Sequence, residues 1–194
     1  LRNDLDSFKP GQSYYLTACP DKTAELRNKY QQLANGRKLV GISWKSTDIS
    51  QRRAKSKSTS LESWAPVLSQ PNCYFINLQY GDVETEVVKL ESNTNLKVYQ
   101  DQEIDPLANL DGFAAQISAL DLVISTSNTT VHMAGALGKR VWTLLPHIPD
   151  WRWTLDREEA LWYPVMRLFR QSSIGDWQEV FKRVSHALSQ SGTV

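Results

Sequence analysis

Five consecutive residues carry the densest hydrogen-bonding chemistry in the chain: Thr126-Ser127-Asn128-Thr129-Thr130. They follow a short apolar run and lead directly into a helix-forming stretch. A helix start presents unpaired backbone N–H groups and a partial positive charge. Hydroxyl and amide side chains added there make a cradle for a diphosphate. The same residues can also do a purely local job, since Asn128 or Thr129 suffices to cap the helix. His132, one turn further on, is either a packed helix residue or a hydrogen-bonding partner for a phosphate or sugar hydroxyl.

A second cluster is cationic. Lys45, Arg52, Arg53, Lys55 and Lys57 follow another apolar run, with Asp48 as the one acid among them. Such a patch attracts an anionic ligand or forms a solvated loop, and Lys45, nearest the end of the run, is the leading single residue. Gln79, Asp111 and Ser43 are weaker candidates for contacts to a base, ribose or phosphate. The stretch Pro149-Asp150-Trp151-Arg152-Trp153 offers planes that stack on a base or sugar, or that pin a loop to the core; packing is the favoured role. No Walker A, Gly-x-Ser-x-Gly or Gly-x-Gly-x-x-Gly motif is present, so P-loop, α/β-hydrolase and classical NAD-dehydrogenase readings have no support. His132, His147 and His186 share no metal-ligand spacing, and neither a metal nor a cofactor is expected. Cys19 and Cys73 belong to no CxxC pair. They are expected to be free thiols in a reducing, cytoplasmic compartment, with Cys73 buried at a strand start.

The elements that must position these residues alternate along the chain. Residues 21–35 read as an amphipathic helix, started by Asp21 and ended by Asn35-Gly36. Strands are expected at 38–44, 73–80, 96–99, 122–125 and 140–145, and helices at 60–68 with a Ser60 cap, 82–90, 111–120, 129–137 and 176–188. Residues 46–59 read as a polar loop. Short apolar strands separated by helices predict an α/β fold, a Rossmann-like parallel sheet with helices on both faces. In such a sheet ligands bind beyond the carboxyl ends of the strands, which selects the loops after Trp44, Tyr80, Ser125 and Leu145.

The 194 residues suffice for one large domain and are too few for two Rossmann-like domains. A net charge of +1 makes no case for nucleic acid or a membrane surface, and no run is long enough to span a bilayer. Residues 1–20 are expected to be an inter-domain crossing segment and 21–194 the folded domain. The opening residues show neither an initiator Met nor the apolar core of a signal peptide, so the chain is expected to be part of something longer.

The segments Val40-Gly41-Ile42-Ser43-Trp44, Leu122-Val123-Ile124-Ser125 with Val131-His132-Met133-Ala134-Gly135-Ala136-Leu137-Gly138-Lys139, Pro149-Asp150-Trp151-Arg152-Trp153, Trp162-Tyr163-Pro164 and Arg167-Leu168-Phe169-Arg170-Gln171 carry a resemblance. They resemble the C-terminal part of bacterial tetratricopeptide-repeat glycosyltransferase-like proteins. Those in turn are similar to the heptosyltransferases of glycosyltransferase family nine and, more distantly, to the O-GlcNAc transferases. The resemblance implies the C-terminal half of a GT-B fold, holding a nucleoside-diphosphate-sugar donor. An N-terminal GT-B domain would bind the acceptor and supply the catalytic base. It implies metal-independent sugar transfer, with donor contacts at Ser43, Lys45, Gln79, Asp111, Ser127, Asn128, Thr129, Thr130 and His132. In the heptosyltransferases the helix-start loop usually reads Asp-Thr followed by a small residue, where this chain has Ser127, Asn128 and Thr129. In the O-GlcNAc transferases His-Thr-Thr stands where Asn128-Thr129-Thr130 stand here. The replaced acid supports a second reading, a degenerate non-catalytic GT-B module in a repeat-containing scaffold protein. A third, a nucleotide-binding regulatory domain, rests on fold analogy alone.

Overall fold

Five short runs dominated by Val, Ile, Leu and aromatic residues form one parallel sheet, as expected for strands covered on both faces. The computed structural model describes residues 14–46 and 51–191, with only the backbone given for 51–53. In chain order the elements are α1 (Pro20–Ala34), β1 (Lys38–Ser43), α2 (Gln51–Lys57), α3 (Ala65–Leu68), β2 (Cys73–Asn77), α4 (Glu84–Thr94), α5 (Leu110–Ser118), β3 (Leu122–Thr126), α6 (Thr129–Ala136), β4 (Val141–Leu145), β5 (Met166–Arg170) and α7 (Trp177–Gln190). The strand order is β2-β1-β3-β4-β5, and every pairing is parallel.

Strand alternation sorts the core into two layers. Val40, Ile42, Leu122, Ile124, Trp142, Leu144 and Phe169 face α3, α4 and α7, where Trp64 and Phe181 pack with ring centroids 5.4 Å apart. Leu39, Val123, Val141, Met166 and Leu168 face α1, α5 and α6. α1 starts at Pro20, whose missing N–H costs nothing in a first turn. It ends at Asn35 and Gly36, both at positive φ, as the sequence predicts.

Four expectations need correction. Residues 46–59 are not all loop, because Gln51–Lys57 is helical; its one apolar residue, Ala54, gave no periodic signal. The 60–68 helix is a 3-10 turn, Leu61–Trp64, followed by α3, and Ser60 makes no cap: its hydroxyl bonds that of Ser63 instead. The strand expected at 96–99 is one bridge, Tyr99 to Ile76. Two residues on, Asp101 bonds Tyr30 and Lys29 on α1, and the chain leaves the edge of β2. Finally, β5 is a strand that alternation did not single out, since two of its five residues are Arg. The expected crossing segment, residues 1–20, lies partly outside the described residues, as do Asp48 and the side chains of Arg52 and Arg53.

Candidate functional site

β2 lies on one side of β1 and β3 on the other, so the direction of winding reverses between β1 and β3. In an open α/β sheet the crevice at the carboxyl ends of two such strands is where ligands sit. Ser43 and Ser125 are register partners at that point. The loop leaving β1 carries Trp44 and Lys45, and the loop leaving β3 carries Ser127 and Asn128.

Asn128 joins the two loops. Its Oδ1 accepts from the Thr130 N–H at 3.0 Å, capping α6, and from the Ser125 hydroxyl at 3.1 Å. Its Nδ2 donates to Ser43 Oγ at 2.7 Å and to the Lys45 carbonyl at 2.8 Å. Gln79, in the loop after β2, completes the frame. Its Oε1 accepts from Ser43 Oγ and from the backbone N–H groups of Trp44 and Lys45 at 2.7–2.9 Å. Asn128 and Gln79 are both buried. Their side chains therefore shape the crevice.

Further polar and charged groups surround this frame. Thr129 is exposed at the first turn of α6. Thr130 is fully buried and its hydroxyl makes no hydrogen bond, as is also true of Thr126 Oγ1 at the end of β3. Lys45 is held by Glu86 of α4, which also accepts from the Trp44 indole N–H at 3.0 Å. Glu86 went unnoticed in the sequence, because an acid on a polar helix face carries no local signal of its distant partner. Lys57 of α2 and Arg152 lie near enough to His132 to act on its charge.

His132 is partly buried, and its ring stacks on Trp153 at 5.2 Å between centroids. Its Nδ1 lies 3.0 Å from the Tyr163 hydroxyl. Burial, then the positive charges of Arg152 and Lys57, push its pKa below the ordinary 6.5, with Asp150 opposing. Trp153 is buried and donates its indole N–H to Ser127 Oγ at 2.8 Å, so this Trp packs, as the sequence reading favoured. Trp151 is 73% exposed, with the Arg152 guanidinium over its ring. Tyr163 escaped notice as a site residue. Its one sequence signal is Gly135: a Cβ there would come within 2.6 Å of the Tyr163 ring.

Asp111 is exposed in the first turn of α5. Because α5 feeds the start of β3, that turn lies at the carboxyl edge. Beyond the end of β2 a cleft of about 320 Å³ is lined by Asn77, Gln79, Gln100, Asp101, Ile104 and Asp105, among others. Asp101 is fixed within it: burial alone would raise its pKa, but hydrogen bonds from Tyr30 and Lys29 hold the carboxylate below its ordinary range. Among the described residues no three His, Cys, Asp or Glu side chains converge as a metal site, and no helix is long and apolar enough to cross a membrane. Cys73 is buried and Cys19 exposed, both free thiols.

This architecture is the Rossmann-like α/β fold found in family nine glycosyltransferases. E. coli ADP-heptose LPS heptosyltransferase II superposes with a TM-score of 0.59 at 16% identity, over 92% of this chain and 54% of that one. A glycosyl transferase family 9 protein from Veillonella parvula gives 0.58 at 10% identity, over 93% and 54%. E. coli heptosyltransferase WaaC with ADP-2-deoxy-2-fluoro heptose gives 0.54 at 11%, over 80% and 44%. At these identities the likeness is one of fold. In sequence the chain is 36% identical over 188 residues to Protein FlbA of Caulobacter vibrioides, which covers 97% of this chain and 31% of that protein. The chain thus spans about a third of that relative's length. No family model matches it.

Proposed function

We propose that this chain is the donor-binding domain of a GT-B glycosyltransferase, holding a nucleoside-diphosphate sugar at the β1/β3 crevice. The observation that carries this reading is the coincidence of the switch point with a helix start and a cationic surround. The α6 first turn, with Thr129 and Thr130, would take the diphosphate, flanked by Lys45, Lys57 and Arg152. Leaving-group charge would then be met by backbone N–H groups, hydroxyls and cations of the protein, in a metal-independent transfer. Ser43, Ser127, Asn128 and Gln79 hold the cradle in shape, and His132 bonds a phosphate or sugar oxygen. Base and ribose would enter the cleft beyond β2, near Gln79 and Asp111. Acceptor and catalytic base belong to an N-terminal GT-B domain, with residues 1–20 as the crossing between the halves. The free thiols fit a cytoplasmic setting.

A non-catalytic GT-B module is the second reading. It is favoured by Ser127 and Asn128, whose side chains are both bonded within the protein and would keep the loop intact with no ligand to serve. Thermal shift separates the two. UDP, GDP or ADP, or one of their sugars, present at about 100 times its Kd should stabilise the fold by about 2.7 kcal/mol. If none raises the melting temperature, even with the N-terminal half present, the transferase reading fails. If UDP binds, replacing Thr129 and Thr130 together by Ala should weaken it; unchanged affinity would remove the diphosphate assignment.

A further inference from the structure

The Tyr163–His132 pair has a consequence for which proton-transfer roles are open to the site. Neutral imidazole carries one N–H and one lone pair, and the partner of one nitrogen decides which is which. Tyr163 Oη is the hydrogen-bond partner of His132 Nδ1, at 3.0 Å. A phenol O–H is a stronger acid than a neutral imidazole N–H, and imidazole nitrogen is a better acceptor than phenol oxygen. The pair is therefore set with the phenol donating and Nδ1 accepting, which leaves the proton on Nε2. Tyr163 is itself fixed, since its ring lies against Gly135 of α6 and stacks on Tyr15 at 6.2 Å. The His132 ring is fixed by the parallel face of Trp153.

We propose that Tyr163 is a positioning residue that locks His132 as its Nε2–H tautomer, making it a neutral hydrogen-bond donor and removing it as a general base. This deepens, and rests on, the reading of the crevice as a donor site. With Nε2 already protonated, His132 can donate to a ligand oxygen. It cannot take a proton from an attacking hydroxyl without first breaking its bond to Tyr163. The charged groups around it agree. Arg152 and Lys57 oppose a second proton, Asp150 alone favours one, and burial adds to the opposition. Tyr163 stays a phenol, because burial and a hydrogen bond with Tyr15 push its own pKa well up, against Arg152; with the phenol proton on the His132 side, the Tyr15 hydroxyl is the donor in that second bond. The base for transfer must then come from elsewhere, in keeping with a second domain.

The chain has three histidines, which makes the test direct. His147 is an internal control of opposite sense: its Nδ1 faces the Gln171 carbonyl at 3.1 Å, so that nitrogen must donate. Long-range 1H–15N spectra of imidazole-labelled protein at pH 7.5 should show His132 with Nε2 protonated and Nδ1 bare, and His147 reversed; His132→Gln assigns the signals. A protonated Nδ1 at His132 in the wild type overturns the proposal without any other variant. Tyr163→Phe, checked for an unchanged fold by melting, should turn His132 into a tautomer mixture and raise its pKa. UDP, used as the probe, should then bind Tyr163→Phe progressively more tightly relative to wild type as pH falls, the comparison cancelling the nucleotide's own phosphate ionisation. An unchanged His132 spectrum in Tyr163→Phe also overturns the proposal. If UDP, GDP and ADP all fail to bind the wild type, the donor-site reading falls, and the spectrum still judges the tautomer.

Discussion

The carboxyl edge of the sheet is built in two ways. At its centre, between β1 and β3, the loops are tied by buried amides: Asn128 and Gln79 together make seven hydrogen bonds to Ser43, Trp44, Lys45, Ser125 and Thr130. At the rim beyond β4 and β5, apolar side chains face solvent, with Ile148, Trp151, Leu155 and Ile174 all exposed. There Thr154 and Asp156 adopt positive φ, which costs a non-glycine residue about 1–3 kcal/mol each. Arg170 holds this turn by donating to the Trp153 and Thr154 carbonyls, at 3.3 and 2.8 Å. Thus the centre is polar and tied together by its amides, although the Thr126 and Thr130 hydroxyls beside them are buried without a hydrogen bond. The rim exposes apolar side chains, carries strained backbone, and is held by Arg170 together with the Asp150 side chain on the Arg152 N–H and the Trp153 bond to Ser127. The difference separates residues that make the cradle from residues that are free to meet something else.

The sharpest way to break this contrast is at Asn128. Asn128→Ala removes the α6 cap and takes the side-chain donor from the Lys45 carbonyl, while Ser43 Oγ keeps its bond to Gln79. A lost cap costs about 1 kcal/mol and each orphaned buried group about 1–3, so a loss of about 3 kcal/mol is expected. For a chain of this size that lowers Tm by roughly 6–12 °C. Asn128→Asp keeps the cap but sets a carboxylate against the Lys45 carbonyl. That geometry raises the folded-state pKa, so the variant should be closer to wild type at pH 4 than at pH 7. Urea titrations at both pH values check it. An Asn128→Ala loss under about 0.5 kcal/mol, the scale of an ordinary surface change, would show that the centre is not held by its amides.

The layered sheet was legible in the sequence because Leu39–Ile42 and Leu122–Ile124 are unbroken apolar runs, a pattern that buried parallel strands dictate. The helix start at Asn128-Thr129-Thr130 was legible too, since capping chemistry is local. What the amide then does was not: its bonds to Ser43 and Lys45 join residues some 85 positions apart, and no local pattern encodes that. Lys45 could be placed at a strand end from the sequence, but its pairing with Glu86 depends on how α4 packs. The strand β5 hid for a different reason. Arg167 and Arg170 interrupt its apolar alternation, as suits the edge of a sheet. α2 hid because a helix with one apolar residue has no face to detect.

Trp153 stands where the two regions meet, in the rim segment but buried, with its indole N–H on Ser127 Oγ and its face against His132. Trp153→Phe keeps an aromatic face and loses that bond. The expected cost is about 1–2 kcal/mol, a buried hydrogen bond plus a small void, read from the urea midpoint at unchanged m-value. A cost matching Asn128→Ala would make Trp153 part of the central frame instead of its border.

The smallest effect is expected at Trp151. The ring is mostly exposed and touches Trp162 edge-on at 6.3 Å, so Trp151→Ala should change stability by no more than about 0.5 kcal/mol. That small number gives the variant its use. A large exposed Trp that contributes little to folding is available to contact a ligand or a facing domain. Any loss of nucleotide-sugar binding or transfer in Trp151→Ala, measured with the N-terminal half present, can then be read as a lost contact and not as a damaged fold. Should the variant instead melt several degrees lower, the rim is structural in the same sense as the centre, and the contrast between the two ends of this edge disappears.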